Sequence, residues 1–314
     1  MEDSIRHVAR FVVAVTLLAG PVSPRPAPGQ QAPARLDATP QDSARSGAGW
    51  GAELAVPLLS VPLPGLGQYV RGAGWAGVGY SSVALAGLWA GSSGDIESTP
   101  RQPRDQFATE ALHVAFTAGA LSAWDAFHRA VPALQGQGKY EFLDARESLG
   151  DLLSAPIDPE FLGRWTTWVN VGLSAGIAAA ILTQRNRGVE HMPFEGHDAA
   201  YTASLSYNAA VGEEALFRGW LLPVFQQKLG GSFWAGNSLQ ATLFAVAHAP
   251  QADWFAVVIG ASGIYDGWLT RRNGWSVRET IFGHFWYDVL VGTATLLTNR
   301  RSVTMRFPTV TIRF

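Results

Sequence analysis

Val211-Gly212-Glu213-Glu214-Ala215-Leu216-Phe217-Arg218-Gly219-Trp220-Leu221-Leu222 places two acids and one base inside a run that otherwise belongs in lipid or in a tightly packed core. At the centre of a membrane helix each such charge costs about 2.5–3.5 kcal/mol, and each Leu or Phe returns only about 0.3–0.6 kcal/mol. Three charges therefore cost roughly 8–10 kcal/mol, more than their apolar neighbours offset. Charges kept at that cost face a polar cavity and serve chemistry, transport or a buried ion-pair network.

Working outward, the stretch lies in a helical segment from Asp198 to Lys228 that ends at Gly230-Gly231. Ser232 to His248, Asp253 to Leu269 and Thr280 to Thr298 follow as helices of roughly membrane length. Upstream, Trp165 to Leu182 reads as a span rich in Gly, Ala and Ser, which favour close helix packing. Arg185 and Arg187 flank it. Phe107 to Val131 is a further span, polar at one end through Asp125 and His128, which share a helix face and are expected at the interface with solvated side chains. An earlier span occupies about residues 73–91, behind a helix-breaking interfacial turn, Pro62-Leu63-Pro64-Gly65-Leu66-Gly67-Gln68-Tyr69. An amphipathic piece is expected at Glu141–Leu153. The fold class is thus all-α, a polytopic membrane bundle of about six to eight spans with its chemistry in consecutive helices of the C-terminal third.

Composition agrees. Of 314 residues, 47% are hydrophobic and only 15% charged, against about a quarter charged in soluble domains. Mean hydropathy of +0.08 requires polar loops between the spans. Net charge of −2 gives no reason to expect a nucleic-acid partner. The absence of Cys rules out a disulfide, a thiolate zinc site and a cysteine nucleophile. Residues 1–34 read as a signal-like or anchor segment, with Arg6 and Arg10 before the short apolar run Phe11 to Ala19. Residues 35–49 read as a disordered linker. Residues 50–160 form an N-terminal membrane region with polar loops, 161–299 the core, and 300–314 a tail with strand-like alternation.

Three helices of the core carry ionisable groups at helical spacing. Glu213 and Glu214 are adjacent, about 100° apart around a helix, so they point different ways. Glu214 and Arg218 stand one turn apart and suit an ion pair, which leaves Glu213 to face a cavity. Phe244 and His248 are one turn apart on the next helix, and His284 and Asp288 on the last. Singly, each pair is an ordinary structural arrangement. Together, in spans where ionisable groups are rare, they form a candidate site.

These three motifs, Glu213-Glu214-x-x-x-Arg218, Phe244-x-x-x-His248 and His284-x-x-x-Asp288, resemble in order those of the CPBP family. That family comprises type II CAAX prenyl endopeptidases and bacteriocin-processing or immunity (Abi) proteins. The resemblance covers about residues 198–299. It implies an intramembrane glutamate protease, with Glu213, His248, His284 and Asp288 catalytic and Glu214, Arg218 and Phe244 in support. Glu213 and His248 would activate a water, and His284 with the residue four later would bind the oxyanion. The family often has Asn where this chain has Asp288, and an ionised Asp donates no hydrogen bond. Asp288 is therefore expected to orient His284. Glu213, His248 and His284 could also form a zinc shell, but no cofactor is the favoured expectation. The H-E-x-x-H spacing of helical zinc proteases is absent.

The resemblance implies an endopeptidase acting on a membrane-associated peptide or protein, with membrane lipid as its surroundings. The signal-like N-terminus suggests a bacterial inner-membrane protein, and bacteria generally lack prenylation, so a non-prenylated substrate is expected. The alternative is a non-catalytic immunity or scaffold protein that keeps the polar cluster structurally. A transporter would need paired broken helices in a repeat, and none is visible.

Overall fold

The computed structural model describes residues 51–94, 100–144, 147–183, 192–252 and 256–298. The signal-like segment, the linker, Arg185 and Arg187, and the C-terminal tail all lie outside them. Among the described residues the protein is all-helical, with no strand. A π-turn, Gly51–Ala55, runs into α1 (Val56–Ser60), followed by α2 (Leu66–Val70), α3 (Gly74–Gly91) and α4 (Pro103–Gln135). Then come α5 (Leu149–Ser154), α6 (Trp165–Thr183) and α7 (Gly196–Glu214). A π-helical segment, Ala215–Leu221, joins α7 to α8 (Leu222–Lys228). The chain continues through α9 (Phe233–Ala252), α10 (Ala256–Arg272) and α11 (Arg278–Leu296).

The central helix is α4. Its 33 residues span about 50 Å. Ala108, Ala120, Ala123, Ala126 and Phe127 are fully enclosed, because α3 packs on one side and α7 with the π-segment on another. Small residues let the backbones approach. A Cβ on Gly87 of α3 would stand 2.5 Å from the carbonyl oxygen of Ala111, and one on Gly212 of α7 would stand 3.0 Å from Thr117 Oγ1. Thr117 also donates to the carbonyl of Asn208, at 2.9 Å, which clasps α4 to α7. On the other flank α11 packs on α6 and α7, and α9 pairs with α10.

Polar and charged groups are buried alongside two apolar clusters, and many large apolar side chains are exposed. Glu213, Glu214, Arg218, Gln240 and Asn237 are buried, while Leu85, Leu88 and Trp89 of α3, Trp168 and Leu173 of α6, Val246 of α9 and Val257 of α10 face outward. Such a distribution suits lipid rather than water. By length and apolar composition only α6 meets the usual measure of a membrane-crossing helix among the described residues. The expected six to eight spans are not confirmed by that measure.

Two expectations are revised. The amphipathic piece at Glu141–Leu153 is helical only over Leu149–Ser154, where Ser148 and Asp151 form a capping box. The interfacial turn before α3 is folded into the bundle: Gln68, fully buried, donates to the Ser122 carbonyl at 3.0 Å and to Asp125 at 2.8 Å. Gly65 makes that turn, with φ of +97° and its Cα against the carbonyl of Gly77.

Helical bonding is interrupted just after the π-segment. Pro223, in the first turn of α8, has no N–H to give the carbonyl of Gly219 four residues back. His128 of α4 supplies a donor instead, its Nε2 lying 3.0 Å from that carbonyl oxygen. His128 is therefore not the solvated interfacial side chain expected, and its neighbour Asp125 pairs with Arg129 at 2.7 Å. Replacing His128 with Leu should orphan the Gly219 carbonyl and cost about 1–3 kcal/mol, while Gln, which keeps a donor, should recover part of it. Thermal unfolding of the detergent-solubilised protein measures both.

Candidate active site

The last turn of α7 and the π-segment set the directions of the three charges. Glu213 and Glu214 are the final residues of α7, and Arg218 sits in the middle of the π-segment. All three are almost wholly buried. Glu214 Oε1 lies 2.9 Å from Arg218 Nη1 and 2.8 Å from His284 Nδ1, so one carboxylate oxygen joins α7, the π-segment and α11. Arg218 Nη2 stands 3.6 Å from Asp266 Oδ2 on α10. Its guanidinium carbon lies 4.3 Å above the Phe244 ring of α9, a cation–π contact. A Cβ on Gly263 would be 3.3 Å from Arg218 Nη2, so that glycine makes room for the head group.

Phe244 is the floor of the site. Its ring centre lies 4.5 Å from that of His248, 5.0 Å from that of Phe217 and 6.2 Å from that of His284. His248 Nδ1 is 2.7 Å from the Phe244 carbonyl, which can only accept, so Nδ1 carries the proton. In the neutral ring Nε2 is then a bare acceptor. It faces Glu213 Oε2 at 3.7 Å, and His284 Nε2 faces the same oxygen at 3.8 Å. Glu213 Oε2 is buried and makes no hydrogen bond within the protein. Both separations exceed a direct hydrogen bond and leave space for a bridging water.

The structure thus brings Glu213, His248, His284, Asp288, Glu214, Arg218 and Phe244 into one cluster. It changes what holds His284. The carboxylate on Nδ1 is Glu214, not Asp288; Asp288 Oδ2 stands instead 3.4 Å from Nε2, on the side that faces Glu213. An imidazole donating to carboxylates from both nitrogens would be the imidazolium. As for zinc, neighbouring donors of a tetrahedral shell at about 2.1 Å lie roughly 3.4 Å apart. The gaps of 3.7 and 3.8 Å are wider, and among the described residues no group of three His, Asp or Glu is close enough to hold a metal.

Asp266 and Asn170 were missed in the sequence. Asn170 Nδ2 lies 3.5 Å from Asp266 Oδ1, and α11 comes so near α6 that a Cβ on Gly283 would stand 2.5 Å from Asn170 Nδ2. The same argument that singled out Glu213 applies to Asp266, an acid amid the apolar and small residues of α10. Asn170 carries no charge and gave no such signal.

The helical bundle thus exposes large apolar side chains, as a membrane protein does, and encloses an acid–imidazole cluster. Residues 196–290, from the start of α7 into α11, match the family model described as Rce1-like: Type II CAAX prenyl endopeptidase Rce1-like. Over those residues the chain is similar to that family of membrane-embedded proteins, which supports an integral membrane protein. The matched span takes in every residue of the cluster except Asn170. No curated protein and no solved structure matches the chain.

Removing Arg218 alone should strand Glu214 and Asp266 as buried acids. Arg218→Met is expected to cost about 3–5 kcal/mol, and Arg218→Lys to recover only part, since a lysine cannot reach two acids and stack on Phe244 together. Unfolding in detergent should show the order wild type, Lys, Met.

Proposed function

We propose that this protein is an intramembrane endopeptidase that hydrolyses peptide bonds of a membrane-proximal protein or peptide with a water activated by Glu213 and His248. The observation that carries this reading is the convergence of two imidazole Nε2 atoms on one buried, unpaired carboxylate oxygen, Glu213 Oε2, at 3.7 and 3.8 Å. A water shared by Glu213 and His248 donates to both and keeps a lone pair for the scissile carbonyl carbon. As it attacks, Glu213 takes its proton and the carbonyl oxygen becomes an oxyanion. His284 Nε2 donates to that oxyanion. The tetrahedral species collapses by breaking the C–N bond, and Glu213 returns its proton to the leaving amine. Glu214 is a positioning residue: it fixes the His284 ring through Nδ1 and is itself fixed by Arg218.

Asp288 opposes the oxyanion when ionised, since its Oδ2 lies 3.4 Å from the same Nε2. The family match supports a CAAX-protease-like endopeptidase. A substrate without a prenyl group and a bacterial inner-membrane location are part of the same proposal, as is catalysis without a metal.

Against a membrane-tethered reporter polypeptide that the wild type cleaves, Glu213→Gln should lower kcat by about 10²–10⁴-fold with unfolding unchanged. The isosteric amide removes the base and no hydrogen bond. Asp288→Asn should keep or raise kcat, and Asp288→Ala should stay within about tenfold of wild type, since neither retains the opposing charge. Wild-type turnover by Glu213→Gln would sink the proteolytic reading, and unfolding of that variant would favour the scaffold.

Exhaustive chelation with 1,10-phenanthroline and EDTA should leave cleavage of the same reporter intact. Loss of cleavage that added zinc restores would replace the water shared by Glu213 and His248 with a metal-bound one.

A further inference from the structure

His284 has to carry two protons to do what the proposed mechanism asks of it. Glu214 Oε1 lies 2.8 Å from its Nδ1 and also accepts from Arg218, so the carboxylate is ionised and Nδ1 holds a proton. In a neutral ring Nε2 would then be bare and could not donate to an oxyanion. The donor is therefore the imidazolium, in a largely buried site where an uncompensated cation is costly. Negative charge nearby has to compensate it.

Arg218 decides how much of that charge reaches His284. Glu214 Oε1 is shared between Arg218 Nη1, at 2.9 Å, and His284 Nδ1. A guanidinium with no other acid would neutralise Glu214 by itself. Arg218 does have another acid. Asp266 Oδ2 of α10 stands 3.6 Å from Nη2, and both residues are buried. Among the described residues Arg218 is the only ion-pair partner of Asp266. The other oxygen, Oδ1, faces the Asn170 amide Nδ2 at 3.5 Å, so a donor stands on each side of this carboxylate.

The ionisable groups facing the network come from every helix packed around it. Glu213 and Glu214 lie on α7, Arg218 on the π-segment, His248 on α9, and His284 and Asp288 on α11. His113 of α4 bears on Asp288. His248 keeps its single proton on Nδ1, against the Phe244 carbonyl. The cations able to answer Glu213, Glu214, Asp266 and Asp288 are thus Arg218 and His284. Pairing Arg218 with Asp266 leaves Glu214 to His284.

We propose that Asp266 is a positioning residue that keeps His284 doubly protonated, by balancing the charge of Arg218 and so leaving that of Glu214 to the imidazole. This rests on the role proposed for His284 at the oxyanion and supplies the group that makes the role possible. Asp266 acts from behind the arginine, on a ring carried by another helix.

The test uses the full chain in detergent at pH 7, with both ring nitrogens of histidine labelled with 15N. The His284 signals are those that vanish in His284→Gln. Wild type should show both His284 nitrogens protonated and His248 Nε2 bare. Asp266→Asn removes one charge and almost no volume. It should leave His284 Nε2 bare and lower kcat on the membrane-tethered reporter by about 10²–10³-fold, with KM unchanged. Asp266→Glu, which restores the charge, should recover both the ring proton and turnover. Asn170→Ala, a milder change that releases Asp266 Oδ1, should weaken the Nε2 proton signal in the same direction. A bare Nε2 in wild type, or an imidazolium that survives Asp266→Asn, would overturn the proposal. So would a fall in stability and kcat with the ring unchanged, the mark of a merely structural aspartate. The spectra need no substrate, so they decide the charge coupling even if Glu213→Gln turns out to cleave like wild type.

Discussion

One carboxylate oxygen holds the site together. Glu214 Oε1 accepts from Arg218 Nη1 and from His284 Nδ1, both within 2.9 Å, with no exposure to solvent. Taking such charges out of water costs several kcal/mol each, and the Coulombic return exceeds that only when geometry and further hydrogen bonds are good. Here Asp266 and the Phe244 ring supply the rest of the guanidinium's surroundings. Five elements meet at that one arginine-centred cluster: α7, the π-segment, α9, α10 and α11. A gain in specificity is what such a network offers. With Nδ1 of His284 committed to Glu214, Nε2 is the nitrogen that faces Glu213, and the aim of the proposed oxyanion donor follows from an ion pair one residue away.

Much of this was legible in the sequence and some was not, for separable reasons. The divergence of Glu213 and Glu214 follows from 100° per residue, and the Glu214–Arg218 pair from one helical turn. Both are local. What His284 touches is only partly local: Asp288, one turn away and the expected partner, stands 3.4 Å from Nε2, and Glu214, seventy residues back, holds Nδ1 at 2.8 Å. Spacing along one helix ranks candidate neighbours only until another helix brings a closer one. Asp266 was readable by the charge-in-an-apolar-helix argument and was passed over because it stood outside a motif. Asn170 acts through a hydrogen bond across helices that nothing on its own helix marks, and His128, though singled out with Asp125, has its acceptor, the Gly219 carbonyl, on another helix.

The count of spans was less legible, for a reason built into the fold. Mean hydropathy averages over a whole helix, and these helices combine exposed Leu, Trp and Val with buried polar and ionisable groups as well as buried apolar ones. In lipid there is little hydrophobic drive between helices, so close backbone approach and interhelical hydrogen bonds must do the packing. Gly87 against Ala111 and Thr117 against Asn208 are the two cases in view. The polar groups that join the helices, Thr117 and Asn208 among them, lower that average.

The family match begins at residue 196, but the folded unit does not. Pro223 lies inside the matched region and deprives the Gly219 carbonyl of its helical donor, and the group that answers it, His128, lies on α4. Trp124 of the same helix packs so near Gly219 that a Cβ there would be 2.5 Å from its ring. The segment carrying Arg218 thus takes its shape partly from a helix outside the match. Trp124 and His128 also line a cavity beside α3 and α4. α4, which lies outside the match, thus supplies the donor for a carbonyl inside it, and such a group left unpaired away from water costs several kcal/mol.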